Sequence, residues 1–318
     1  MTVAVVIFAV LVLAYAAAAQ GLRRANVTAP IVFVAAGAVL AAALGPATYA
    51  PEGSSENLTP LTVLAEVTLA LILFHDAAQV QPRQISAERG AVLRLLLIGL
   101  PLTIGAGFLA ARWIFPQWPV MVALLVAASL APTDAGLGAA TVLNPVVPVR
   151  IRRLLNVESG LNDGLVTPVV FFAIAAIAGS QGATDGGGDS QPLVELLVGV
   201  LVGAGVGALG GWLLGWSRRR ALSKASTRSL GVLALPLLAY YSAYLVDANA
   251  FVAAFVAGSA FAAARWVAQE DSVLDLTDLV SEPLGFAVWF AVGLVAVPLV
   301  WSSVGWREVT FAVLSLTA

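Results

Sequence analysis

Two runs decide how this chain is read: Ser129-Leu-Ala-Pro-Thr-Asp-Ala-Gly-Leu-Gly138, and Val149-Arg-Ile-Arg-Arg-Leu-Leu-Asn-Val-Glu-Ser-Gly-Leu-Asn-Asp-Gly164, which continues as Leu165-Val-Thr-Pro168. Long apolar stretches, Val120 to Leu130 and Val169 to Ala178, lead into and out of them. Asp134, Glu158 and Asp163 are therefore carboxylates set in membrane-like surroundings. An acid at the centre of a spanning helix costs about 2.5–3.5 kcal/mol. Such a cost calls for a function, and the default one is an ion or proton pathway.

Spacing sharpens the reading. Pro132, Gly136 and Gly138 surround Thr133-Asp134, so the helix is expected to break there and leave backbone groups unpaired by the helix. Glu158 and Asn162 are four residues apart, as are Ser159 and Asp163, so each pair stacks on one side of a helix. Asp163 follows Arg153 by about 15 Å of helix, roughly half the hydrocarbon thickness. A carboxylate near the midplane, with the neutral Asn162 beside it and the Ser159 hydroxyl one turn earlier, suits a hard monovalent cation. A group that holds either a proton or a cation is what exchange requires.

The rest of the chain agrees. It is 60% hydrophobic and 11% charged, whereas a soluble domain carries about 25% charged residues. Apolar windows place ten complete spans at about 2–20, 27–44, 60–78, 91–111, 119–142, 153–178, 192–216, 230–246, 249–265 and 281–300. An eleventh, incomplete span begins near 306. The expected fold is an all-α polytopic membrane protein, a single transmembrane domain over 1–318. With the N-terminus outside, the inner loops hold Arg23 and Arg24; Arg83, Arg89 and Arg94; Arg150, Arg152 and Arg153; Arg218, Arg219, Arg220, Lys224 and Arg228; and Arg265. Of the 16 basic residues, this leaves Arg112 and Arg307 outside. The acidic segment Gln269 to Ser281 is expected to lie at the interface. Met1 to Ala19 reads as the first spanning helix, because no base precedes it and Arg23-Arg24 follow. With no cysteine, disulfides and thiolate metal sites are excluded. No basic patch with interleaved aromatics points to nucleic acid.

Ala131-Pro-Thr-Asp-Ala135, followed by Val147-Pro-Val-Arg-Ile-Arg-Arg-Leu-Leu-Asn-Val-Glu-Ser-Gly-Leu-Asn-Asp-Gly164, resembles the signature of sodium/proton antiporters of the cation:proton antiporter-1 family, the NhaP-like branch. The resemblance is strongest from about 60 to 175. It implies an antiporter fold with a broken fifth helix, a plasma-membrane, multi-pass protein that forms a homodimer, and no cofactor beyond the transported Na+ and H+. On this resemblance, Asp163 and Asp134 carry the proton/cation exchange, and Thr133 contributes its carbonyl. Ser159 and Asp76 complete the cation-binding set, while Asn162 and Glu158 are structural within the site. The family pairs the Glu158 position with an arginine on the eleventh helix. That arginine, and a second broken helix, are not found here, so the chain is expected to be truncated at its C-terminus. A single Asn-Asp pair resembles the electroneutral branch.

Alternative readings stay open at this stage. Thr133-Asp134 also suits a helix cap, and Asp76 also suits an interfacial helix end. His75, the only histidine, is expected to be incidental. Gly199, Gly203, Gly207, Gly211 and Gly215 form a small-residue stripe that serves either packing within the protomer or a dimer contact. An inactive fragment or a non-transporting sensor is the alternative to an antiporter. An intramembrane aspartyl protease using Asp134 and Asp163 lacks the expected Gly-x-Gly-Asp and Tyr-Asp contexts.

Overall fold

The computed structural model describes residues 2–25, 27–44, 59–80, 90–133, 146–180, 192–264, 271–301 and 304–315. Apolar runs become helices at the expected spans, except that the fifth, expected over 119–142, is helical only over Val120–Leu130, and 134–142 lie outside the described residues. The helices are α1 (Thr2–Arg24), α2 (Ala29–Leu44), α3 (Thr59–Gln79), α4 (Gly90–Ile114), α5 (Val120–Leu130) and α6 (Val149–Ser180). After these come α7 (Pro192–Arg219), α8 (Ala225–Tyr244), α9 (Ala250–Ala262), α10 (Asp275–Trp301) and α11 (Trp306–Ser315). Among the described residues, five helices are long and apolar enough to cross a membrane, and shorter apolar helices accompany them. The protein is an all-α polytopic membrane protein. The tenth helix begins earlier than the expected 281: from Asp275 onward the acidic segment forms the first turns of α10.

Two of these helices carry a widened turn. Leu95–Gly99 in α4 and Val292–Ala296 in α10 are π-helical, and Pro101 and Pro298 follow each by two residues. A proline ring clashes with the carbonyl four residues earlier, here Leu97 and Leu294. A π turn at that carbonyl relieves the clash without ending the helix.

The chain divides into two compact units. One comprises 1–69 and 278–305. Its core is aromatic: Phe33 stacks on Phe286 at 4.6 Å, Tyr15 meets Phe286 edge-on at 5.3 Å, and Phe8 lies 5.7 Å from Phe290. Gly37 of α2 and Gly293 of α10 form a reciprocal notch. A Cβ at Gly37 would overlap the Phe290 carbonyl oxygen, and one at Gly293 the Val34 carbonyl oxygen.

The second unit comprises 70–277 and 306–318. Its centre is α9, gripped on two sides. A Cβ at Gly199 of α7 would fall 2.6 Å from the Asn249 carbonyl oxygen, and those at Gly203 and Gly207 would overlap the carbonyl oxygens of Ala253 and Ala257. The glycine stripe is thus used for packing within the protomer, backbone against backbone. On another face, Gly258 abuts the Phe74 carbonyl of α3. Phe171 of α6 stacks on Phe251 of α9 at 4.7 Å. Arg112, which the positive-inside pattern leaves outside, donates to the carbonyls of Pro116 (3.1 Å) and Trp118, closing the α4–α5 turn.

Candidate functional site

The site forms where α5 ends against α6. After Leu130 the helix stops. The Ala131 N–H reaches only to the Ala128 carbonyl at 3.4 Å, and Pro132 has no N–H to continue the ladder. Thr133 is thereby presented sideways to α6. Its hydroxyl donates to Glu158 Oε2 at 3.0 Å and accepts from Asn162 Nδ2 at 2.9 Å. The same amide donates to Glu158 Oε1 at 3.2 Å and approaches the Thr133 carbonyl at 3.4 Å. Three side chains thus close a ring across the two helices. Both Glu158 oxygens accept from neutral donors, so a half-buried Glu158 is solvated by Thr133 and Asn162.

Asn162 is wholly buried, and its orientation follows from the ring. With Nδ2 aimed at α5, Oδ1 turns back and accepts the Asp163 backbone N–H at 2.7 Å. Asp163 is therefore held by its neighbour's amide at the point where α6 faces the break. The next turn is weakened as well. Pro168, inside α6, has no N–H to return to the Gly164 carbonyl, and the Thr167 hydroxyl bonds back to the Asp163 carbonyl at 2.7 Å. Val157 packs behind this region with Val80, Val92 and the π-turn residue Leu96.

Gly164 completes the local structure. A Cβ there would overlap the ring of Phe255 from α9, so only glycine admits that ring against α6 next to Asp163.

Of the residues expected from sequence, Thr133, Glu158 and Asn162 are brought together, with Asp163 adjoining them through the backbone. Asp134 and the Ser159 side chain lie outside the described residues. Asp76 sits half-buried on α3, on the turn where Phe74 and Ala77 meet Gly258. His75, also on α3, is buried and accepts from the Gln79 amide one turn on. Among the described residues no group of three or more His, Cys, Asp or Glu is assembled. The Thr133 hydroxyl and Phe255 were not singled out from the sequence. The hydroxyl was hidden because resemblance pointed to the carbonyl of the same residue. Phe255 carries no mark in the sequence that separates it from the other apolar positions of α9.

The family described as "Sodium/hydrogen exchanger, transmembrane" matches residues 6–318. The chain belongs to the sodium/hydrogen exchanger family. This is a family of transporters, not of enzymes, and the membership removes the protease alternative. Within curated proteins, a segment of 73 residues is 44% identical to a Na(+)/H(+) antiporter of Schizosaccharomyces pombe. The matched segment covers 22% of this chain and 15% of the yeast protein.

Proposed function

We propose that this exchanger-family chain exchanges monovalent cations (Na+ first, then Li+ or K+) for protons by alternating access, one proton per cation. The observation that supports this most directly is the Thr133–Glu158–Asn162 ring between the end of α5 and α6, whose Asn162 also accepts the backbone N–H of Asp163. Asp163 holds either the proton or the cation. Thr133 and Asp134 at the break, Ser159 one turn before Asp163, and Asp76 supply further oxygens to the cation. Asn162 contributes no charge, so one carboxylate exchanges one proton for one monovalent cation without net charge movement. Glu158 positions Asn162 and is not itself exchanged. The helices α5 and α6 carry the site as a body, exposing Asp163 to one side of the membrane at a time. The 1–318 region acts as a single transport domain in the plasma membrane, N-terminus outside, as a homodimer.

Asp163→Asn tests this reading, because the side chain keeps its size and loses its proton. In everted vesicles, the variant should insert normally and show no Na+-driven proton flux. In the unsubstituted protein, lowering the pH should raise the apparent Na+ constant, since proton and cation compete for one carboxylate. Normal flux from the Asn variant, or a Na+ constant indifferent to pH, would overturn the assignment.

A further inference from the structure

We propose that the corner between α7 and α8 binds the headgroup of an anionic phospholipid, whose acyl chains lie along the Trp212–Trp216 face of α7. The inference starts from charge. Arg218, Arg219, Arg220, Lys224 and Arg228 crowd the corner, and no acidic residue occurs between Glu195 and Asp247. Membrane topology alone explains a few bases in any arrangement. The interfacial aromatic belt explains single tryptophans; neither rule calls for an ordered corner that sets bases and tryptophans on one helix face.

The corner is ordered from within. At the end of α7 the Leu222 N–H bonds to the Ser217 carbonyl at 3.0 Å, closing over Ala221, whose φ of 52° is left-handed. Such a closure normally uses glycine, and its reversal of the chain brings Lys224 back toward the last turn of α7. The Ser217 and Ser223 hydroxyls lie 2.8 Å apart. Buried Arg228 donates to the Ser223 carbonyl, holding the loop from below. Arg219, Arg220 and Lys224 are left on the exposed side. Lys224 is also the N-cap of α8 and gives that helix no side-chain cap. The first N–H groups of α8 therefore add donors to the same corner.

The apolar part is equally specific. Leu209, Trp212, Leu213, Trp216 and Arg220 recur at intervals of three and four, on one face of α7. All are exposed, Trp212 at 60% and Leu209 at 67%. The Arg220 guanidinium lies 5.6 Å from the centre of the Trp216 ring. Reading down the helix, the order is cation, indole, indole, aliphatic, which matches phosphate, glycerol and chain of a phospholipid. A zwitterionic headgroup would bring its own cation to this basic corner; a glycerol headgroup would not. The occupant is therefore an anionic lipid such as phosphatidylglycerol.

Each base near a membrane surface contributes about a five-fold preference for anionic lipid. The test uses the full chain in detergent with equimolar phosphatidylglycerol and phosphatidylcholine, and counts retained lipids by native mass spectrometry. Phosphatidylglycerol should be retained preferentially. The variant R219Q/R220Q/K224Q, altered only at exposed side chains, should lower that preference at least ~10-fold. A control, R24Q/R94Q/R307Q, removes the same charge elsewhere and should leave it in place. In a second measurement, dibrominated phosphatidylglycerol should quench tryptophan emission more than dibrominated phosphatidylcholine, and W212F/W216F should abolish that excess. The proposal is overturned if the control variant loses the preference equally, if soluble glycerol phosphate displaces the lipid, or if the tryptophan variant retains the excess quenching.

Discussion

Replacing Thr133 with valine removes one hydroxyl while keeping the β-branch and the backbone carbonyl, so it isolates the ring that joins α5 to α6. Two hydrogen bonds disappear, one to Glu158 Oε2 at 3.0 Å and one from Asn162 at 2.9 Å. Their costs differ. Asn162 is fully buried but keeps Glu158 Oε1 and the Thr133 carbonyl as acceptors, so its amide is not orphaned. Glu158 Oε2 loses its Thr133 donor, although Glu158 is half-buried and open to water. A net hydrogen bond is worth about 0.5–1.5 kcal/mol, and one to a charged group about 1.5–3. With water replacing part of the loss at Glu158, the expected destabilisation is about 2 kcal/mol. Thr133→Ser restores the hydroxyl and should recover most of it. In a double-mutant cycle, Thr133→Val with Glu158→Gln should cost less than the sum of the singles, with a coupling of about 1 kcal/mol. Unfolding of the purified protein in detergent, followed by tryptophan emission, measures the stabilities, and Na+-driven proton flux in proteoliposomes reports whether Asp163 is still held in place. If the valine variant matches the unsubstituted protein, or if the two substitutions are additive, the ring has no energetic content and the account of how Asp163 is positioned fails.

Two further predictions rest on close helix contacts. Gly203→Ala or Gly207→Ala places a methyl on a carbonyl oxygen of α9 and should destabilise by about 1–3 kcal/mol. Gly205→Ala on the same helix meets nothing within 4 Å and should be neutral or stabilising by up to about 1 kcal/mol; equal effects of these substitutions on thermal unfolding would refute the α7–α9 contact. Gly164→Ala should impair both stability and flux by displacing Phe255, and Phe255→Leu in the same chain should restore part of both. No recovery in the double variant would mean that Gly164 serves some purpose other than admitting that ring.

The spans themselves were legible because a bilayer imposes a one-dimensional rule: about 20 apolar residues must run together to cross it. Most expected spans correspond to helices, and several boundaries moved outward where polar residues extend a helix beyond the apolar run, as Asp275 does for α10 and Ser226 and Thr227 do for α8; the fifth, expected over 119–142, instead stops at Leu130, and 134–142 lie outside the described residues. Glu158 and Asn162 could be paired in advance from a spacing of four, and their hydrogen bond confirms the pairing. The Thr133 hydroxyl could not be separated from its carbonyl by spacing, since both belong to one residue at a break. Likewise, the glycine stripe of α7 announced a close neighbour without naming it. In lipid every helix is apolar, and the partner, α9, is marked only by small residues that suit many partners. The π turns of α4 and α10 were not legible because a proline two residues past a widened turn reads like any proline in a spanning helix.

The Gly37–Gly293 notch has a consequence for how the protein is made. Its two halves belong to one compact unit whose parts, 1–69 and 278–305, are separated in the chain by the whole of 70–277. At ~5–20 residues per second, synthesis of the intervening segment takes roughly 10–40 s. Throughout that interval α2 stands in the bilayer with lipid against Gly37, and Phe33 has no Phe286 to stack on. Helix α2 can pair with α1 through Phe8 and Tyr15 on Phe33 at once, but it meets Phe286 and Gly293 only after the whole intervening segment has been made.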